Sequence, residues 1–428
     1  MVLALFLPGA SSFVPACSPI RACSWYQRRA ATQEVHRGLR LRASAAPVEK
    51  AFEISRIDIR DISPPDFHRL FDTDVATPTI VTNVFSKEVC EKWCEDFVEQ
   101  LGEETIDFQI RTSETGLSEH LEGTLNDFIE GCFESSHDRS WFLFDEELLT
   151  KAPSLSKQLS LPTDYFGSDL FRHFPSPVRP MGSCVVMGGE GSRSTLHADP
   201  YEWFGWNLCL EGSKLWTFGR PGKGVSAAEG GGLDDEIEAY RLEPNAWDGF
   251  SLSAGWQSDV DLYRHKDQAR EWFSAYELGT MGEEQRDAAL ERVPKAASRA
   301  FRSSKELSPD RVASNLASVV QREGELLLIP PRWWHQTLHL EPTVAIASQY
   351  TNSRHVDRVY RHMLSWSYHG VQDEVESVME EVDQARDDGA SERACVRLVI
   401  QRCLQGKLGM EKGADAFERL LDEEMLLH

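Results

Sequence analysis

No run of eighteen or more apolar residues occurs in this chain of 428, so a membrane-spanning helix is not expected. Basic residues are scarce as well: 45 Lys and Arg stand against 69 Asp and Glu, for a formal charge of -24. Duplex nucleic acid is bound largely through cations that neutralise phosphates, so it is disfavoured as a partner, and an acidic surface favours a basic protein instead. Paired C-x-x-C spacing is missing, and the nine cysteines are odd in number and scattered. Neither a disulfide framework nor a zinc ribbon is indicated, and a reducing compartment fits. Cys90 and Cys94, four apart, read as small apolar residues on the core side of a helix rather than as a redox pair. The glycines of Gly188-Gly189-Glu190-Gly191 mark a turn, because the G-x-x-x-x-G-K of a phosphate loop does not follow.

Acids are nearly absent from the N-terminus, where residues 1–48 carry six Arg and a single acid, Glu34, behind a short apolar run over residues 2–10. An Arg-rich, acid-poor start of this kind reads as an organelle leader. Gly9-Ala10-Ser11-Ser12-Phe13-Val14-Pro15 is similar to the cleavage region of two-part plastid leaders. The alternative is a disordered extension, which leaves the protein to the cytoplasm or nucleus.

The remainder is patterned for a β-rich core. Pro78–Val84 alternates β-branched residues, and Ser86 is placed to cap a helix running to about Leu101 with Val89, Trp93 and Phe97 on one face. Short strands are expected over Cys184–Gly188, Ser194–Asp199, Trp206–Leu210 and Lys214–Phe218, and again near Val319–Glu325 and Thr343–Ala347. Short strands punctuated by Gly and Pro argue for a sandwich or barrel. Residues 221–316 break this rhythm and read as an insertion, with an acidic loop at Gly230–Glu236 and a helix-compatible stretch at His265–Arg302. Beyond Asn352 three amphipathic helices are expected, striped by Val371, Val375, Val378, Met379 and Val382, then Cys395, Val399 and Cys403, then Phe417, Leu420, Leu421 and Met425. They pack either on the core or against a second subunit; the sequence sets no oligomeric state.

Two separated stretches carry the chemistry. In Ser194-Thr195-Leu196-His197-Ala198-Asp199-Pro200, residues 197 and 199 are two apart, so on a strand both point to one side. With His335, behind the strand Glu325–Ile329 and the turn at Pro330-Pro331, they form two imidazoles and a carboxylate. Such a set suits a divalent iron with open positions for oxygen and a bidentate cosubstrate. His339, nearby, lacks that setting and is not expected to bind metal. Asn207 and Lys214 would be buried without partners among Trp206, Leu208, Leu210 and Trp216 unless a polar ligand enters the barrel. A dicarboxylate satisfies them, one end chelating metal and the other pairing with Lys214 and a hydroxyl.

The blocks Thr195-Leu196-His197-Ala198-Asp199-Pro200, Gly212-Ser213-Lys214-Leu215-Trp216 and Gly324 to His335, together with Asn207, resemble those of JmjC-domain oxygenases. These are cupin-type dioxygenases dependent on Fe(II) and 2-oxoglutarate. The resemblance implies a mainly β core with added α: a double-stranded β-helix, or jelly roll, over residues 49–355, with 221–316 as an inserted helical segment and 356–428 as C-terminal helices. It further implies His197, Asp199 and His335 as iron ligands, O2 as co-reactant, Lys214 as partner of the distal carboxylate of 2-oxoglutarate, and Asn207 as a second polar contact. Ser194 stands where the family usually has Thr, with Thr195 next to it, and either hydroxyl can serve. The gap between the ligand blocks is longer than usual, which the insertion accounts for. Trp203, Trp206, Trp333 and Trp334 either wall the site or pack the core. With no zinc module or chromatin reader in the chain, the hydroxylase-like small JmjC group is preferred, acting on a protein side chain. Demethylation of N-methyl lysine or arginine, histones included, hydroxylation of RNA, and an inactive metal-binding interaction protein are the alternatives.

Overall fold

The computed structural model describes residues 52–426 apart from 72–75, 113–117, 136–138, 181, 222–238, 243–250, 254, 259 and 264–314. In chain order the strands are β1 (Ser55–Asp58), β2 (Thr79–Thr82), β3 (Thr105–Thr112), β4 (Ser118–Thr124), β5 (Arg139–Asp145), β6 (Cys184–Gly188), β7 (Leu196–Ala198) and β8 (Phe204–Glu211). They continue with β9 (Ser213–Gly219), β10 (Ala239–Leu242), β11 (Gly255–Ser258), β12 (Leu316–Arg322), β13 (Leu326–Ile329), β14 (Trp334–His339) and β15 (Thr343–Tyr350). Nine of them form one sheet in the order β1-β2-β13-β8-β15-β6-β5-β3-β4, and six form the other in the order β10-β11-β7-β14-β9-β12. Among the described pairs only β1–β2 is parallel, as expected where strands are joined by short turns and the sheets close on each other. The central strands β8 and β13 are buried along their whole length, which is why they read as near-continuous apolar runs and not as alternation.

Helix α1 spans Pro64–Phe71, α2 Lys87–Leu101 and α3 Leu125–Glu134. Ser86 caps α2, its side chain accepting from the Val89 N–H. The buried stripe of α2 is Cys90, Trp93, Cys94, Phe97 and Leu101, whereas Val89, in the first turn, is exposed. Burial pushes both thiols of the Cys90 and Cys94 pair up, which makes them poor redox nucleophiles and leaves them a packing role.

Two regions differ from the sequence expectation, and others lie outside the described residues. Residues 1–48, expected as a leader, lie outside the described residues, as do the acidic loop Gly230–Glu236 and the stretch His265–Arg302. The described parts of 221–316 include β10 and β11, and β11 pairs with β7, so this segment extends the six-stranded sheet. At the C-terminus four helices stand where three were expected: α4 (Val356–Ser367), α5 (Gln372–Asp387), α6 (Glu392–Leu408) and α7 (Met410–Leu426). Their stripes pack within the chain, Val375, Val378, Cys395, Val399 and Phe417 joining one core with Tyr201 and Trp203. Val371 just precedes α5 and Met425 lies in the last turn of α7, and both are exposed. No helix among the described residues is long and apolar enough to cross a membrane.

Candidate metal centre and its cavity

Pairing of β7 with β14 sets His197 directly opposite His335, and Asp199 follows one residue beyond β7. The imidazole centroids are 4.1 Å apart, and Asp199 Oδ1 lies 3.7 Å from His197 Nε2 and 3.9 Å from His335 Nε2. One donor atom from each of the three residues falls within 4.8 Å of the others. Each Nδ1 is held by a main-chain carbonyl two residues back, that of His197 by Thr195 at 2.8 Å and that of His335 by Trp333 at 2.9 Å. Those bonds place the protons on Nδ1 and turn both Nε2 lone pairs toward Asp199, the tautomer a metal ligand needs. Burial, with His197 beside it, holds His335 below the ordinary imidazole range, hence neutral. Two imidazoles and one carboxylate on one side of a space fit a divalent iron.

The ligand strands are held by unusual backbone. Tyr201 and Glu202, just past Asp199-Pro200, have φ of 60° and 51°, and Arg332, three residues before His335, has φ of 68°. Left-handed geometry costs a non-glycine residue about 1–2 kcal/mol, so tertiary contacts must hold it. Ser253 Oγ accepts the Tyr201 N–H at 2.7 Å, and Glu202 faces Arg332 at 3.8 Å and His362 of α4 at 3.5 Å. Gly205 lies against the carboxylate: a Cβ there would sit 3.0 Å from Asp199 Oδ2, so a larger residue would press on the carboxylate.

From the triad a cavity of about 380 Å³ runs between the sheets to Lys214 and Asn207. Lys214, on β9, is fully buried; its Nζ donates to Asn207 Oδ1 at 3.2 Å and stands over the Trp216 ring at 5.8 Å. Desolvation lowers its ammonium to about 8, so at neutral pH a buried positive charge with one neutral partner awaits an anion. Ser194 lines the cavity and its Oγ accepts from Thr337, both from N–H at 3.0 Å and from Oγ1 at 3.2 Å. Thr195 does not line it; its hydroxyl accepts from Gln257 at 2.9 Å. Of the two hydroxyls left open by the sequence, Ser194 therefore faces the cavity.

Trp203 and Trp206 wall the cavity, whereas Trp333 and Trp334 do not; Trp333 donates to the Ala76 carbonyl at 3.1 Å and meets Phe52 edge-on. His339 takes no part in the triad. It is buried opposite Lys214 across β9–β14, and burial together with that charge holds it neutral. Thr337, Trp216 and Glu146 line the cavity and were missed as site residues. The first two were findable, since each lies two residues along a strand from a recognised one. Glu146 follows β5 at the rim, where no periodicity marks it. The wall takes enough water from its exposed carboxyl to raise it above the ordinary range, and Asp145 and Glu147 push the same way.

Comparison with known proteins agrees with this geometry. A family model described as a cupin-like domain matches residues 64–355. The chain is similar to the arginine-specific demethylase JMJ22 of Arabidopsis thaliana, 23% identical over 294 residues, covering 69% of this chain and 45% of that protein. It is also similar to the bifunctional arginine demethylase and lysyl-hydroxylase psr-1 of Caenorhabditis elegans, 22% identical over 310 residues, covering 72% of this chain and 63% of that protein. A third relative is the 2-oxoglutarate and iron-dependent oxygenase JMJD4 of Mus musculus, 21% identical over 283 residues, with 65% and 50% covered. The chain spans less than two thirds of the length of each.

Proposed function

The chain belongs to the cupin-like domain family, and from that premise we propose that it is an Fe(II)- and 2-oxoglutarate-dependent JmjC oxygenase that hydroxylates a protein side chain. One observation carries the reading: a His, Asp, His triad and a fully buried lysine share one cavity. Iron held by His197, Asp199 and His335 would supply oxygen activation coupled to conversion of 2-oxoglutarate to succinate and carbon dioxide. The chain itself contributes orientation and dryness. Carbonyls of Thr195 and Trp333 fix the imidazoles, Lys214 and Asn207 receive the distal carboxylate, and Ser194 with Thr337 offers it hydroxyls. Trp203, Trp206 and Trp216 exclude water around the reacting carbon.

A basic side chain is the substrate this entrance suits. Glu146 at the rim carries a raised carboxyl that a cation would relieve, and exposed Phe144 lies beside it on the same wall. Relatives named for lysyl hydroxylation and arginine demethylation support a basic residue and leave both outcomes of C–H hydroxylation in play. Purified protein given Fe(II), ascorbate, 2-oxoglutarate, oxygen and lysine- or arginine-containing peptides, unmodified and N-methylated, should release succinate. Mass spectrometry should find a peptide heavier by one oxygen; loss of methyl with formaldehyde release identifies the demethylase instead. Equal succinate from wild type and His197→Ala would sink the oxygenase reading.

A further inference from the structure

Asp261 lies just past β11, inside the segment that reads in sequence as an insertion, yet its side chain is only 9% exposed. Its Oδ2 accepts from Arg193 Nε at 2.8 Å and from Arg111 at 3.3 Å, and its Oδ1 accepts from Gln336 Nε2 at 3.0 Å and the Tyr263 N–H at 3.1 Å. Arg193 and Gln336 belong to segments that carry the site. Arg193 immediately precedes Ser194, and Gln336 separates His335 from Thr337 on β14. Because side chains alternate along a strand, Gln336 leaves the sheet on the face opposite the metal.

The same Gln336 amide also donates to the Ser194 carbonyl at 2.8 Å, and its Oε1 accepts the Leu262 N–H at 2.8 Å. Tyr263 continues the contact, donating through its hydroxyl to Thr217 of β9 at 2.6 Å, and both Leu262 and Tyr263 are buried. Asp261-Leu262-Tyr263 is thus a buried anchor on the outer face of the six-stranded sheet. Burial opposes the Asp261 charge, but Arg193 and Arg111 hold its carboxyl below the ordinary range, so the anchor is charged at neutral pH.

We propose that Asp261 is the positioning residue of the metal centre, holding β14 and the Ser194 segment in register from behind so that His335, His197 and the Ser194–Thr337 pair face the cavity at a fixed separation. It touches neither metal nor cosubstrate; it acts through Gln336 and Arg193. The inference rests on the oxygenase reading only in taking the triad as a metal site. Groups behind a ligand shell commonly shift metal affinity by about 10–100-fold.

The test is titration of the purified full chain with Co(II), followed by its visible absorption, beside a melting curve. Wild type should bind one equivalent through the triad. Asp261→Ala should fold, bind Co(II) about tenfold more weakly and show an altered absorption band, and Asp261→Glu, which keeps the charge, should recover part of both. Arg56→Met removes the Arg56–Glu325 ion pair of the other sheet and serves as control, lowering the melting temperature while leaving Co(II) affinity and band unchanged. Should Asp261→Ala not fold, Gln336→Met severs the contact from the strand side and is measured instead. A folded Asp261 or Gln336 variant with wild-type affinity and band overturns the proposal. No Co(II) binding by wild type overturns the metal site itself, a different failure.

Discussion

At one end of the cavity His197 and Asp199 keep 26% and 23% of their side-chain surface exposed, while at the other Lys214 keeps 0%. The two ends also hold their groups differently. Main-chain carbonyls fix the imidazoles, so the metal end is set by strand register; Lys214 is set by burial, with one side-chain partner in Asn207. The contrast reflects what each end must do. Under the proposed oxygenase reading, substrate has to reach a metal at the triad, which the more open end allows, whereas an ammonium recognises a carboxylate strongly only where water does not compete.

Breaking the open end should have the largest effect. His197→Ala removes one of the three candidate donors grouped among the described residues, and succinate formation should fall by roughly 1000-fold or more, on the order of a lost essential group in catalysis. Metal analysis of the purified variant checks that iron is lost with it. At the closed end, Lys214→Met should raise the KM for 2-oxoglutarate about 100-fold, the scale of an unpaired buried anion. The same change removes a buried charge, so the ligand-free protein should melt higher even as the enzyme fails.

A pH series separates the ends without mutation. The Lys214 ammonium lies at about 8 in the folded protein against 10.5 when unfolded. Over that window the unfolded chain binds more protons, so ligand-free stability should rise with pH. Cosubstrate binding needs the charge and should run the other way, its KM climbing up to roughly tenfold per pH unit above about 8. Smallest is Asn207→Ala, where the loss of one neutral contact, about 1 kcal/mol, should raise that KM roughly fivefold and leave metal content intact. A fall in metal content would mean that the two ends are not separable.

Legibility in the sequence divides the same way. His197, His335, Lys214 and Asn207 lie on strands, and Asp199 one residue beyond β7, so a period of two with Gly and Pro at the strand ends indicates which way each side chain points. Thr337 and Trp216 share that logic. Asp261 was hidden because its meaning comes from Arg193 and Gln336, brought near it by pairing of β7 with β11 and β14, and from Arg111 on β3 of the other sheet, and not from any local pattern. Val89 misled because the first turn of a helix can turn a periodic apolar residue to water. Trp333 and Trp334 were ambiguous because aromatics beside His335 suit a cavity wall and a packed core equally, and Trp333 finds Ala76 and Phe52, which are distant in sequence.

The back-to-back left-handed residues after Asp199 have one more consequence. They place Tyr201 in the core of α4 to α7, where its ring stacks at 5.4 Å on Trp203, which joins that core and also lines the cavity. The match to the cupin-like family model ends at residue 355, before those helices begin, but the material that seats the Asp199 carboxylate does not end there. A protein cut at that point would keep every residue of the triad and lose the floor beneath one of them.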